Sequence, residues 1–490
     1  MSDFGFVGSA YQAASITQED QACINWYPEV SGASGDFVGS PSTGVAPTRG
    51  VIALYPTPGL LLKTELATGE VRGLHTLPGD TAFLAVSGAT LYSIDSTYTA
   101  TNVGTLLTTT GPVTITDNGS AAYITDGTYR YTYVWGTGTF TQVTDGAFSG
   151  GGLCGEVDNF MFYSNPLTNQ WGCTDVGLTT SNPLNLGAIL GASGNLVSLI
   201  ADHRQVLLLG ERYSERWINV GNFPFPFAIV PGSSIQHGCG APYSVARLGE
   251  GIAFLALDTR GQATVVAWGA TVTQPQRIST FAIENAIQGY AVTADAIAYS
   301  YSQAGHEFYV LTFPTADVTW VYDLSTQMWH RRAWCDPTSG IYHRHRSNCC
   351  TVFGGDIVVG DYANGNIYTF SQTTYTDNGD PLPCVRRARH LTTDLRRQYF
   401  HDLQIQFQPG VGLQTGQGSD PECILRWSNN GGFTFGNDHI LKIGKAGQYT
   451  RRAMKRRLGW GRDRVFEVVC TDPVYRVVVS ANLNASAGAN

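Results

Sequence analysis

The densest chemistry in this sequence is cationic. Arg451, Arg452, Lys455, Arg456 and Arg457 crowd together, and Arg462 and Arg464 follow closely. Such a run has three readings. It contacts DNA phosphates, which guanidinium forks bind bidentately. It pairs with an acidic surface on a second copy of the chain. Or it is a solvated strand face with internal ion pairs, for example to Asp463 or Glu467. Arg386, Arg387, Arg389, Arg396 and Arg397 are open to the same three readings. A second constellation, His343-Arg344-His345 with Cys349-Cys350, gathers four side chains that can ligate metal. Zinc sites set two ligands about two residues apart and a second pair farther on. Adjacent cysteines rarely converge on one tetrahedral ion, so a loop with incidental thiols is expected, with no metal and no cofactor.

Catalytic patterns were sought and none stands in a convincing context. There is no Gly-x-Ser-x-Gly elbow, phosphate loop or His-Glu-x-x-His helix. Acidic residues are sparse and scattered, although glycosidase carboxylate pairs meet only in three dimensions. Ser428-Asn429-Asn430-Gly431-Gly432-Phe433-Thr434-Phe435 resembles the Asp-box hairpin of sialidases and related propellers, with Asn430 at the Asp position and Phe435 at the Trp position. That box is a turn device, not a catalytic group. The expectation is a protein that is not an enzyme. The alternative is a glycan-binding or glycan-hydrolysing propeller, which requires a pocket of converging carboxylates and aromatics. A third reading is sequence-tolerant DNA binding by the basic C-terminal module.

The elements that must position these residues are β-strands. Charged residues make up 14% of the chain, against about 25% in ordinary soluble proteins. The chain is rich in Gly, Thr, Ser, Tyr and Val, a mixture that suits short strands and tight turns. Its net charge of −8 is unevenly spread: residues 1–200 carry −11, residues 201–385 carry −5 and residues 386–490 carry +8. Such polarity points to partners or self-assembly. The ten cysteines have no framework spacing, and no basic residue precedes Arg49. Free thiols and the absence of a signal peptide or an apolar run of membrane-spanning length imply assembly in a reducing cytoplasm without membrane insertion.

Residues 1–60 read as an extended N-terminal arm that ends in a rigid turn at Leu54-Tyr55-Pro56-Thr57-Pro58-Gly59-Leu60. Trp26 and Tyr27 are its docking aromatics. From about 70 to 380 a pattern of apolar strand, polar turn and aromatic strand recurs at 82–95, 121–145, 160–175, 205–220, 251–280, 307–332 and 356–370. A period of roughly 45 residues with four short strands per unit is the signature of a β-propeller. Six or seven degenerate blades over 61–384 are expected, with a pair of β-sandwiches as the alternative. Residues 385–490 read as a basic β-sandwich-like or barrel module, with strands at 400–408, 422–427, 464–470 and 475–480. The fold class is therefore all-β.

Asn25-Trp26-Tyr27-Pro28-Glu29 and the Leu54–Leu60 stretch resemble the packaged-DNA stabilisation proteins of short-tailed bacteriophages, also called tail accessory, hub or nozzle proteins. Leu425-Arg426-Trp427-Ser428, Gly444-Lys445-Ala446-Gly447-Gln448-Tyr449-Thr450-Arg451-Arg452, Gly461-Arg462-Asp463-Arg464-Val465-Phe466-Glu467 and Asp472-Pro473-Val474 carry the resemblance into the C-terminal module. The middle agrees in architecture more than in motif. The resemblance implies a homo-hexameric ring in the virion tail, below the portal and its adaptor. It also implies contacts with a tail needle or plug and with tailspikes or fibres, and double-stranded DNA passing through the channel. The expected interface or DNA-facing residues are Trp26, Tyr27, Arg451, Arg452, Lys455, Arg456 and Arg457. Six copies at −8 each give −48, a charge that repels phosphates and lets DNA slide.

Overall fold

The computed structural model describes residues 2–30, 51–67, 69–191, 193–258, 261–269 and 274–488. Residues 31–50 of the expected arm, with Arg49, lie outside them. Seven small antiparallel sheets succeed one another along the chain. Blade one is Val71–Thr76, Ala82–Ser87, Thr90–Asp95 and Ala100–Thr105. Blades two to six occupy 114–143, 154–188, 196–229, 238–277 and 297–335. Blade seven takes three strands from Ser347–Phe353, Asp356–Asp361 and Asn366–Ser371, and its outer strand, Gly59–Glu65, from the chain's beginning. First strands of neighbouring blades touch around the ring, and Ser347–Phe353 meets Val71–Thr76 to close it. The count of six or seven resolves to seven. The expected repeat starts fall at or beside the second strand of every blade, because that strand is buried on both faces and reads as the most apolar run.

The blades are glued by aliphatic and aromatic seams. Leu84, Val86, Ile124 and Tyr131 join blades one and two, while Phe83, Ile94, Phe353 and Val358 join blades seven and one. Closure needs close backbone approach. A Cβ on Gly59 would lie 2.4 Å from the Thr374 carbonyl oxygen, and one on Gly360 would lie 2.3 Å from Val71. Only glycine fits at either position.

The C-terminal module is a sandwich. One sheet has six strands in the order Ala453–Gly461, Gln398–Phe407, Val478–Ala487, Val51–Pro56 and Trp26–Val30, with Ser2–Asp3 also on Val478–Ala487. The facing sheet is the outward continuation of blade six: Met328–Cys335, then Cys23–Ile24, Cys384–Arg387, Asp463–Cys470, Glu422–Ser428 and His439–Lys442. Leu403, Ile405 and Phe407 alternate into the core as expected, against Leu425, Phe466 and Val468. The strand expected over 475–480 begins instead at Val478. The preceding residues are diverted by Val474, whose N–H donates to the Asp472 carbonyl, and by buried Arg476, which donates to Asp472 O and Leu382 O. One helix, Phe281–Gln288, was not foreseen; Thr280 caps it.

The N-terminal segment is extended and docked, but as strands of both sheets. Asn25, fully buried at φ 55°, is the hinge between them. Its side-chain amide donates to Ala333 O and Pro383 O, each at 2.9 Å, and its Oδ1 accepts from Ala333 N at 2.9 Å. Asn tolerates the left-handed region and here satisfies backbone groups of blade six and of the sandwich together. Asn25→Ala leaves three buried polar groups unpaired and is expected to cost about 3 kcal/mol or more. Calorimetric unfolding checks this, and an unchanged transition would contradict it.

Candidate functional site

The structure separates the basic residues into two populations. Arg386, Arg464 and Arg476 are buried. Arg386 donates to Phe6 O, Ser9 O, Ala22 O and Gln21 Oε1, tying the N-terminal strands down. Burial pulls its guanidinium down to about 10, still charged at neutral pH. Arg464 donates to Asn429 Oδ1, Leu458 O and Trp460 O. Arg387 bridges Asp20 and Glu467, and Arg426 shares Glu467 at 2.5 Å. These are internal fastenings.

Arg451, Arg452, Arg456 and Arg457 are the other population. They are exposed, and Lys455 is half-buried. Among the described residues none of the five has a carboxylate within ion-pairing distance. They line a strand that sequence reading missed, Ala453–Gly461, together with the turn before it. Among the described residues this strand pairs only with Gln398–Phe407 and forms the rim of its sheet. An unpaired rim presents free N–H and C=O groups. A bulge centred on Arg457, at φ 59°, turns the rim outward. Tyr449, Trp460 and Tyr399 are exposed beside it at 72%, 51% and 41%, and Arg397 stacks over Trp460 at 4.3 Å. Hollows of about 740 and 510 Å³ flank the strand, one lined by Tyr449, Arg451, Arg452 and Arg456, the other by Tyr399, Asp402, Arg457 and Trp460. Exposed Arg and aromatic side chains are the composition of interface centres.

Trp26 and Tyr27 are placed differently. Trp26 is fully buried and its indole N–H donates to Arg476 O at 2.8 Å. Tyr27 is stacked on Tyr55 and edge-on to His306 and Phe308. Both rings serve the contact between propeller and sandwich inside this chain; for the fully buried Trp26 the expectation that it faces DNA or a partner is corrected, while Tyr27 also lines a surface hollow. Their aromatic character gave no way to separate a dock within the chain from one between chains.

In each blade the first-to-second and third-to-fourth turns share one face of the propeller. Asp80, Asp95, Asp158, Asp175, Glu250 and Asp356 stand at these turns. Among the described residues three cations reach this face: Arg204 on Asp158, Lys63 on Asp356, and Arg247, which donates to Ala201 O beside the Glu250 turn. The opposite face sets Arg212, Arg277, Arg344 and Arg346 beside its carboxylates, nearer to balance. On the acidic face a hollow of about 400 Å³ is walled by Tyr27, Tyr55, Tyr475, Glu29, Gln303 and His306. His306 links Glu29, at 2.9 Å, to buried Asp323, at 2.8 Å. Chiefly the Asp323 hydrogen bond raises the His306 pKa above its ordinary value. Glu29 is the one carboxylate lining this hollow, where sugar hydrolysis uses two.

The propeller axis holds a second hollow, of about 270 Å³, to which every blade contributes, among them Thr114, Cys154, Ser198, Tyr299 and Cys349. It has room for a few waters. A DNA duplex, whose major groove alone is about 12 Å wide, has no passage through it. The His343–Cys350 constellation is dispersed: His343 bonds Asp317 at 2.6 Å, His345 is buried and bonds Ser347 at 2.7 Å, and no cluster of metal-ligating residues occurs among the described residues. The Asp-box-like turn is a working hairpin device. Asn430 Oδ1 accepts from Ser428 Oγ at 2.7 Å and Thr434 N at 3.0 Å, and Phe435 lies under Arg387 and Arg426.

Two family models match the chain. One, described as Bacteriophage P22 Gp10, beta-propeller, covers residues 48–375; the other, Bacteriophage P22 Gp10, beta-sandwich, covers residues 384–486. They divide the chain where blade seven ends and the sandwich strands begin. No curated protein matches it. Among solved structures, a chain of "Crystal Structure of Mitotic Checkpoint Complex" is similar at 12% identity over 63% of this chain and 94% of that one, with a TM-score of 0.41, too loose a likeness to inform function.

Beside the junction Asp377 is buried with neither carboxylate oxygen hydrogen-bonded. Burial pushes its pKa up to about 7, against the pull of Arg332, Arg476 and Arg346. An acid whose folded pKa is raised contributes stability that is fully present below its unfolded pKa and is lost as pH rises through the folded value. The loss therefore develops between roughly pH 4 and pH 7 and is complete above it. Asp377→Asn is expected to be the more stable form at pH 8, by a few kcal/mol at most, and equal to the parent near pH 4. Thermal unfolding across that range measures the difference; an advantage independent of pH would contradict it.

Proposed function

The chain belongs to the bacteriophage P22 Gp10 family of short-tailed phage tail proteins, and from that premise we propose that it is the tail hub or nozzle subunit. Six copies form a ring that extends the portal–adaptor channel, retains packaged DNA and carries the tail needle or plug and the tailspikes or fibres until ejection. The ring assembles in the host cytoplasm and resides in the virion. The chain acts through surfaces, without catalysis. The match of propeller and sandwich models in succession along one chain carries this reading. The narrow propeller axis supports it in one respect: a conduit for DNA has to lie between copies, not through one. No helix among the described residues is long and apolar enough to cross a membrane.

Net-negative copies suit a conduit wall, since repulsion keeps phosphates from sticking. Imaging the purified full-length protein, alone and with portal and adaptor, tests the reading. A six-fold ring with an opening that admits a duplex is expected, and a chain that stays single under all conditions overturns it. Within such particles, reversal of wall Asp and Glu residues to Lys is expected to slow DNA ejection. Unchanged ejection kinetics would remove the electrostatic part of the argument.

A further inference from the structure

We propose that the basic sheet rim, Ala453–Gly461 with the turn at Arg451 and Arg452, docks on the acidic propeller face of the next copy, over blades five to seven. This rests on the ring reading above and deepens it by naming the interface. Four observations carry it. The rim's cations have no carboxylate within ion-pairing distance among the described residues, so their charge is available. The rim strand is unpaired on one side and outlined by exposed Trp460, Tyr399 and Tyr449. The acidic face carries Glu250 and Asp356 on either side of blade six, both exposed, and each holds only a solvent-facing partner, His203 at 3.1 Å and Lys63 at 3.6 Å. Between them lies the hollow walled by Tyr27, Tyr55, Tyr475 and Glu29, three aromatic rings and a carboxylate, which is the chemistry that receives a guanidinium.

The two surfaces differ, and that limits the symmetries they can build. A patch that recognises itself gives a two-fold dimer. A patch that recognises a different patch on the next copy gives a head-to-tail contact, which generates a ring if its rotation closes. A cationic rim and an anionic face cannot each meet their own kind without like-charge repulsion. The arrangement therefore excludes pairs built rim on rim or face on face; rim on face runs head to tail into the cycle proposed here, and a reciprocal two-fold pair, read by ultracentrifugation as a closed dimer, would overturn it. A DNA contact by the same arginines is the competing occupant.

The test uses the full-length chain, with ring formation read by analytical ultracentrifugation and DNA binding read separately by anisotropy with a duplex. One variant reverses the rim (Arg451→Glu, Arg452→Glu, Arg456→Glu), a second reverses the face (Glu250→Arg, Asp356→Arg), and a third carries both sets. Each single set is expected to weaken ring formation by about a hundredfold or more, while the combined variant recovers most of the loss. Recovery also shows that neither set fails by misfolding. Rings of undiminished stability in the single-set variants overturn the interface and leave the hub reading standing. So does a rim variant that keeps the ring but loses duplex binding, which hands these arginines to DNA. A parent chain that forms no ring overturns the interface and the hub reading together.

Discussion

The molecule depends on a two-residue bridge. Cys23–Ile24 lies parallel to Met328–Cys335 of blade six and antiparallel to Cys384–Arg387 of the sandwich. Without it the eleven-stranded sheet falls into two pieces. Two residues of ladder are little by themselves, since a strand of that length has few backbone bonds. The junction is secured by side chains instead. Asn25 ties Ala333 to Pro383, Trp26 bonds Arg476, and Arg386 gathers three carbonyls and an amide from the N-terminal strands. Unpaired groups at such depth would be costly, so these bonds fix one geometry between propeller and sandwich. The basic rim and the acidic face acquire a defined relation only through this weld.

Closure of the propeller uses the same economy of sequence. The outer strand of the last blade comes from Gly59–Glu65, immediately after the segment that bridges the sheets. One end of the chain thus seals the ring of blades and joins the second module. A toroid closed this way leaves only short protected edges, and its seven apolar seams make it a stiff body. Stiffness is what a docking platform needs, because a face that holds its turns in place can present carboxylates at fixed spacing.

Much of this was legible in the residues. The second strands of all seven blades announced themselves because they are buried on both faces, as in Phe83–Val86 and Val206–Leu209. Leu403, Ile405 and Phe407 gave their sheet by alternation. Other features were hidden for physical reasons. Gly59–Glu65 read as the end of a turn because Pro56 and Pro58 precede it, and its strand partner lies some three hundred residues away. Ala453–Gly461 read only as a charge cluster, since Lys455, Arg456 and Arg457 fill its middle and the bulge at Arg457 breaks the period-2 spacing of its buried Ala453, Leu458 and Gly461. Trp26 and Tyr27 signalled a dock without saying to what.

The arginines show where sequence reading must stop and geometry must take over. Arg386, Arg464 and Arg456 are the same residue type in the same basic module, and charge alone cannot rank them. A guanidinium can be buried only where several acceptors surround it, and Arg386 and Arg464 each find such a set among backbone carbonyls and side-chain amides. Arg451, Arg452 and Arg456 find no carboxylate, although carboxylates outnumber cations in the chain. Folding has used its acidic residues in turns and on the propeller and left the rim uncompensated. In a module of net +8 held beside a body of net −16, the weld fixes the two excesses on separate surfaces, where they do not neutralise each other within the chain. The same separation leaves each excess free to be answered by another copy.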